Sequence, residues 1–217
     1  MDEALLRCAQ QEGQHKVILR NYGWDRPSVS IGYFQRRAVA ESVLGQHAAR
    51  RFIVRRPTGG GLVDHSADWT YAMIFPEGVF SSRENSYRCI HAMIREVLAN
   101  SMGCPDVQEL AKDDASRGRI ASCFAEPSAF DVMSMGQKIA GAAQRRFKGW
   151  ILHQGSVHWQ GLEREETRSD FTAAFVAALQ SHLDASACVR ELTHEEASRA
   201  SDLFMHQYAS DAWNHKF

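Results

Sequence analysis

The sequence predicts an α+β domain with a mixed, largely antiparallel sheet packed with helices. Three observations lead there. Apolar residues recur at helical spacing at both ends and in the middle of the chain, β-rich runs fall between them without regular strand–helix alternation, and no internal repeat is visible. A length of 217 residues with ordinary apolar and charged fractions suits one sizeable core, so a single domain over 1–217 is expected.

The first helix is read over Asp2–Gln11, where Ala4, Leu5, Cys8 and Ala9 form a stripe. Val17–Tyr22 and Val29–Phe34 read as two paired strands, separated by Gly23, Asp25 and Pro27. Val39–Ala49 is helical in pattern. Phe52–Arg56 and Trp69–Phe75 are strand-like, the latter with the alternation of a sheet covered on one face. Ser81 with Glu84 forms a capping box for a helix through Tyr87, Ile90, Ile94, Val97 and Leu98. Gly103–Ala121 is polar and aperiodic, a surface loop long enough to suggest function. Phe130–Met133, Gln137–Ala143 and Gly149–Trp159 complete the sheet, with a Met135-Gly136 turn between the first two. Phe171–Leu183 is an apolar helix, and Thr193 with Glu196 opens a last helix towards Tyr208.

The formal charge of −1 gives no global attraction to nucleic acid or a membrane surface. No apolar run reaches the ~20 residues of a spanning helix, and the opening MDEALLRCAQ lacks the features of a signal peptide, so a cytoplasmic protein is expected. The five cysteines are scattered without CxxC spacing, which argues for reduced thiols and no metal site.

Three features point to chemistry. In RRPTGGGLVDH, residues 55–65, a glycine triplet sits between strand-like runs. Such glycines serve a positive φ or a close backbone approach to a ligand. Arg56 and His65 add donors, yet the Lys-Ser/Thr of a phosphate loop and the GxGxxG spacing are absent, so an acyl chain fits better than a nucleotide; a glycine bulge with exposed arginines is the alternative. Cys123 in SCFAEPS lies beside a Pro127-Ser128 turn, whereas Cys8 and Cys89 fall on apolar helical positions. As a nucleophile Cys123 needs a nearby cation or base, for which Lys138, His65 and His153 are candidates. Lys138, flanked by Ile139, Ala140 and Gly141, requires a partner if it points inward, and is ordinary surface if it points out. Arginines at 36, 37, 50, 51, 55 and 56 form an acidic-partner docking face only if they share one side of the fold.

Taken together, RRPTGGGLVDH, GQKIAG and GWILHQGSV, flanked by DEALL and YASDAWN, resemble the biotin/lipoate protein ligase superfamily over nearly the whole chain. The resemblance implies a fold related to class II aminoacyl-tRNA synthetases. It implies that Arg56, Thr58, Gly59, Gly60, Gly61 and His65 line a tunnel for an octanoyl or lipoyl chain and that Lys138 contacts its carbonyl, with N–H groups near Gly141 or Ala142 as oxyanion donors. SCFAEPSAFDVM resembles the segment of an octanoyltransferase class whose nucleophile is the cysteine of a Cys-Phe pair, here Cys123. The implied reaction is octanoyl transfer from acyl carrier protein through a Cys123 thioester to a lysine of a lipoyl domain, in a 2-oxoacid dehydrogenase or the glycine cleavage H protein, by a monomer needing no cofactor. The alternatives are an ATP- and Mg-dependent lipoate-protein ligase forming a lipoyl-adenylate, and an inactive homologue that binds lipoyl domains. Ligases typically carry Asn-Asp where this chain has Phe130-Asp131, which weakens adenylation. The strand that usually precedes the DEALL helix is missing, which implies a misplaced start or a lost sheet edge.

Overall fold

A computed structural model describes residues 1–13, 16–110 and 128–217. Cys123 and the charged stretch from Lys112 to Arg119 lie outside the described residues. In chain order the elements are α1 (Asp2–Glu12), β1 (Ile18–Tyr22), β2 (Ser28–Ile31), α2 (Arg37–Leu44), β3 (Phe52–Arg55), β4 (Val63–Asp64), β5 (Trp69–Pro76) and α3 (Arg83–Ser101). There follow β6 (Val107–Glu109), β7 (Val132–Ser134), β8 (Gln137–Phe147), β9 (Trp150–Val157), α4 (Glu165–Leu183), α5 (His194–Leu203) and the short α6 (Asp211–Asn214).

Six strands form an antiparallel sheet in the order β1-β5-β9-β8-β7-β6, and β3-β2-β4 form a second, smaller sheet in which β2 and β3 run parallel. The expected α+β class with a mostly antiparallel sheet is therefore what the chain adopts. The two strands at 17–22 and 29–34 do not pair with each other, however: β1 adds to β5, and β2 leaves for the small sheet. The linker contains Trp24, whose indole N–H donates to Thr70 Oγ1 (2.9 Å) at the start of β5, so it spans two sheets where a hairpin turn was expected.

β5 also departs from the expectation of one covered face, being buried from Trp69 to Phe75. Its odd-numbered side chains, Trp69, Tyr71, Met73 and Phe75, enter a core with Ile90, Ile94 and Leu98 of α3 and Phe171 and Phe175 of α4. Ala72 and Ile74 face the other way, onto Leu5, Leu6 and Ala9 of α1. Helices cover both of its faces, and residues alternating by period two then read as almost continuously apolar. The α3 cap is Ser82, one residue later than expected. Its hydroxyl accepts from Asn85 N–H (3.0 Å), and with asparagine three residues past the cap the Ser81–Glu84 box does not form. The Thr193–Glu196 capping box is present. The expected loop at 103–121 begins instead with a short edge strand, since Val107 is buried and β6 pairs with β7.

Candidate active site

A cavity of about 560 Å³ opens where β2, β3, β4 and the start of β5 meet the middle of β8 and β9, with the C-terminal residues at its rim. Arg56, His65, Lys138, Gly141 and Ala142 line it, whereas Gly59, Gly60 and Gly61, expected in its wall, are not among its lining residues. Thr58 is fully buried behind the wall and donates to Gln154 Oε1 (2.9 Å), a lining residue. The glycine triplet is shaped by Arg56, whose guanidinium donates to the carbonyls of Gly59 and Gly61 and to that of Ser30 (3.1 Å). Gly60 has a φ of 87°, and its carbonyl lies where a Cβ on Gly32 would stand, 1.8 Å away. The loop thus lies against the end of β2, which only a glycine at position 32 permits.

Arg55 is not available to a docking face. Arg55 is buried, and its guanidinium donates to the carbonyls of Gly32 (3.0 Å), Tyr33 (2.8 Å), Gln35 (2.6 Å) and Trp213 (2.9 Å), tying the C-terminal residues to β3.

Lys138 points inward. Its Nζ stands 2.7 Å from Asp131 Oδ2, with both side chains almost wholly buried. A Cβ at residue 141 would meet Lys138 Nζ at 2.6 Å, so the glycine makes room for the ammonium beside the sheet. Ile139 carbonyl accepts from His158 N–H (2.6 Å), which fixes the phase of the β8–β9 ladder. Backbone groups of Gly141 then face β9, and the N–H of Ala142 faces the opposite edge. Pairing with β7 has ended at Ala140, so among the described residues no strand covers that edge at Ala142.

A second network, not apparent from the amino-acid pattern, lines the same cavity. His65 Nδ1 is 2.8 Å from Asp68 Oδ2, and its Nε2 is 2.8 Å from Ser30 Oγ. Asp68 Oδ2 also accepts from the hydroxyls of Thr70 (2.7 Å) and Ser156. Trp24 stacks on the imidazole with centroids 4.3 Å apart and planes 19° from parallel. Burial pushes the Asp68 carboxyl up, but the hydrogen bond and charge of His65, with the hydroxyls of Ser156 and Thr70, outweigh it and hold the group below its usual range. The spacing of His65 and Asp68 was visible in HSAD; Ser30, inside the plain strand SVSI, carried no signal. The small sheet brings them together, since His65 N–H donates to Ser28 carbonyl (3.0 Å) alongside Ser30.

Phe130 has a φ of 70°, a region asparagine adopts more easily than phenylalanine. Its carbonyl accepts from His91 Nδ1 (2.7 Å).

The mixed antiparallel α+β fold, with a buried Lys–Asp pair beside a cavity, is the kind of domain that the comparisons return. The lipoyl protein ligase A/B catalytic domain matches residues 1–195, and the chain belongs to that family. Octanoyltransferase LipM of Kyrpidia tusciae is 37% identical over 165 residues, covering 72% of this chain and 59% of the relative. Octanoyltransferase LipM of Anoxybacillus flavithermus is 30% identical over 261 residues, covering 100% of this chain and 92% of the relative. The chain thus spans three fifths of one relative's length and nine tenths of the other's. Among solved structures, a lipoate-protein ligase A bound with ATP superposes with a TM-score of 0.76 at 23% identity, covering 99% of this chain and 91% of that one. A bi-partite lipoate protein ligase from Thermoplasma acidophilum gives 0.67 at 22%, covering 99% and 89%, and both share the fold. Among the described residues no helix is long and apolar enough to cross a membrane, and no group of side chains has a metal-binding arrangement.

Proposed function

We propose that this chain is a single catalytic unit that works in the cytoplasm as an octanoyltransferase. It moves an octanoyl group from acyl carrier protein to a lysine of a lipoyl domain. Cys123 as thiolate attacks the carrier thioester, the carrier thiol departs, and the lysine amine then displaces Cys123 to form the amide. Both steps exchange an activated acyl group, so no cofactor enters. The observation that carries this reading is the buried Lys138–Asp131 pair in the wall of an acyl-sized cavity, in a chain whose relatives are octanoyltransferases. A cavity of about 560 Å³ lies in the usual range for small-molecule sites. Lys138 supplies positive charge at the carbonyl end, the Ala142 N–H on the β8 edge that no described strand covers is the better placed of the two oxyanion donors, and Arg56 and Pro57 form the wall beside the chain.

Mixing the protein with octanoyl-carrier protein and recording the intact mass tests this directly. An octanoyl adduct on Cys123, absent from Cys123→Ser, together with loss of transfer in that variant, is expected. Pyrophosphate release from lipoate, ATP and Mg²⁺ with no adduct would replace it by the ligase reading. Binding of lipoyl domains with turnover in neither assay would leave only the inactive homologue.

A further inference from the structure

Amide formation has a requirement that the acyl-enzyme scheme leaves open: the attacking lysine nitrogen must shed a proton as its C–N bond forms. Lys138 is already engaged in the buried ion pair with Asp131. In the wall of the same cavity, Ser30 and His65 present a chain of hydrogen bonds ending on a carboxylate.

We propose that Ser30 and His65, held by Asp68, form a proton relay that takes the proton from the acceptor lysine amine during aminolysis. Arg56 Nη1 donates to Ser30 Oγ (3.0 Å). The serine keeps its own proton to give to His65 Nε2, and a second lone pair to receive an amine N–H from the cavity. His65 Nδ1–H donates to Asp68. The Thr70 hydroxyl accepts from Trp24 Nε1 and donates its proton to Asp68, and Ser156 donates likewise, so the donors around the carboxylate agree in direction. Asp68 Oδ1 is buried with no partner among the described residues. The carboxylate therefore keeps charge available to stabilise an imidazolium.

The step balances. The amine lone pair forms the C–N bond and the acyl–sulfur bond breaks. The nitrogen's surplus proton passes to Ser30 Oγ while Ser30's own proton moves to His65 Nε2, and the imidazolium later returns a proton to the departing thiolate. Trp24 on the ring face and Asp68 on Nδ1 lock the ring, so the relay is organised before substrate arrives. Ser30 and His65 are catalytic residues in this scheme; Asp68 positions His65.

The inference rests on the reading that a lysine amine attacks an acyl group in this cavity, whichever activated acyl form supplies it. The test compares two acceptors from the same acyl donor: a lipoyl domain, whose lysine amine has a pKa of about 10.4, and hydroxylamine, a strong nucleophile that depends far less on a protein base. His65→Gln, Ser30→Ala and Asp68→Asn are each expected to slow transfer to the lipoyl domain by about 10²–10⁴-fold and to slow hydroxylaminolysis at least about tenfold less. Equal losses on the two acceptors in all three variants overturn the relay and leave a structural role. Folding is checked by the urea midpoint of each variant, and Asp68→Asn, which preserves shape, serves if His65→Gln folds poorly. If the wild type transfers only with ATP, the donor scheme fails, while the ratio between acceptors, measured from the adenylate, still decides the relay.

Discussion

His65 and His153 are both buried imidazoles, yet they are surrounded in opposite ways. His65 sits at the cavity wall with a carboxylate on one nitrogen and a serine hydroxyl on the other. His153 is fully buried between β5, β8 and α3, and its partners are neutral. Ser86 donates to Arg83 carbonyl (2.6 Å) and accepts from Gln144 Nε2 (2.8 Å). Gln144 can therefore give its other N–H to His153 Nδ1 (2.8 Å), and Nε2–H is left for Tyr71 (3.1 Å). Burial, with the charge of His91 adding to it, pushes His153 well below the usual imidazole range. Burial likewise lowers His91, which donates to Phe130 carbonyl. His65 faces a carboxylate, whereas burial keeps His91 and His153 from taking on charge. The difference lies in a single carboxylate within hydrogen-bonding reach.

Removing that carboxylate is the strongest way to break the contrast. Asp68→Ala strips an acceptor from His65, Thr70 and Ser156 at once in a buried site. A loss of about 3–5 kcal/mol in urea denaturation is expected, from unsatisfied donors costing about 1–3 kcal/mol each without full additivity. Asp68→Asn should recover part of it, because the amide oxygen restores one acceptor. An Asp68→Ala loss below about 1 kcal/mol would show that the network carries little of the fold.

Acid should act more gently, through the histidines that burial keeps neutral. His91 and His153 have depressed native pKa values, while in the unfolded chain they take a proton near pH 6.5. Below that value the unfolded state binds more protons, so stability is fully present above about pH 6.5 and falls as pH drops. The slope is up to about 1.4 kcal/mol per pH unit for each histidine. Denaturation midpoints followed from pH 7.5 to 5.5 should show it, and His153→Gln should flatten the curve. An unchanged slope in that variant would remove His153 from the account. Asp68, with its depressed carboxyl, adds a separate loss only below about pH 4.

The smallest effect is expected from Tyr71→Phe, which leaves His153 Nε2–H without its acceptor. The cost is about 1–3 kcal/mol in the same assay, with transfer to the lipoyl domain and to hydroxylamine changed in equal proportion because the tyrosine does not line the cavity.

The same contrast explains what the amino-acid pattern disclosed. His65 was noticeable because it follows a glycine triplet that packing alone does not require. His153, inside the apolar strand GWILHQGSV, resembles any strand residue, and its neutral partners come from three distant segments. Lys138 could be singled out but not oriented, since strand alternation allowed either face until the ladder with β7 and β9 fixed the phase. Ser30 gave no sign at all. Its role depends on β2 leaving the expected hairpin for a sheet with β4, and the linker between is anchored by Trp24, a residue that local periodicity does not weigh. The helix stripes and the Thr193 cap were legible because they are local; the active-site network was not, because its members meet only through long-range pairing.

Trp24 adds a property of a different kind. An indole stacked 4.3 Å from an imidazole is in contact with it, and imidazolium accepts an electron from excited indole far more readily than neutral imidazole does. The emission of Trp24 therefore depends on whether its neighbour carries a charge, which places an optical reporter of proton arrival inside the cavity wall without any label being attached.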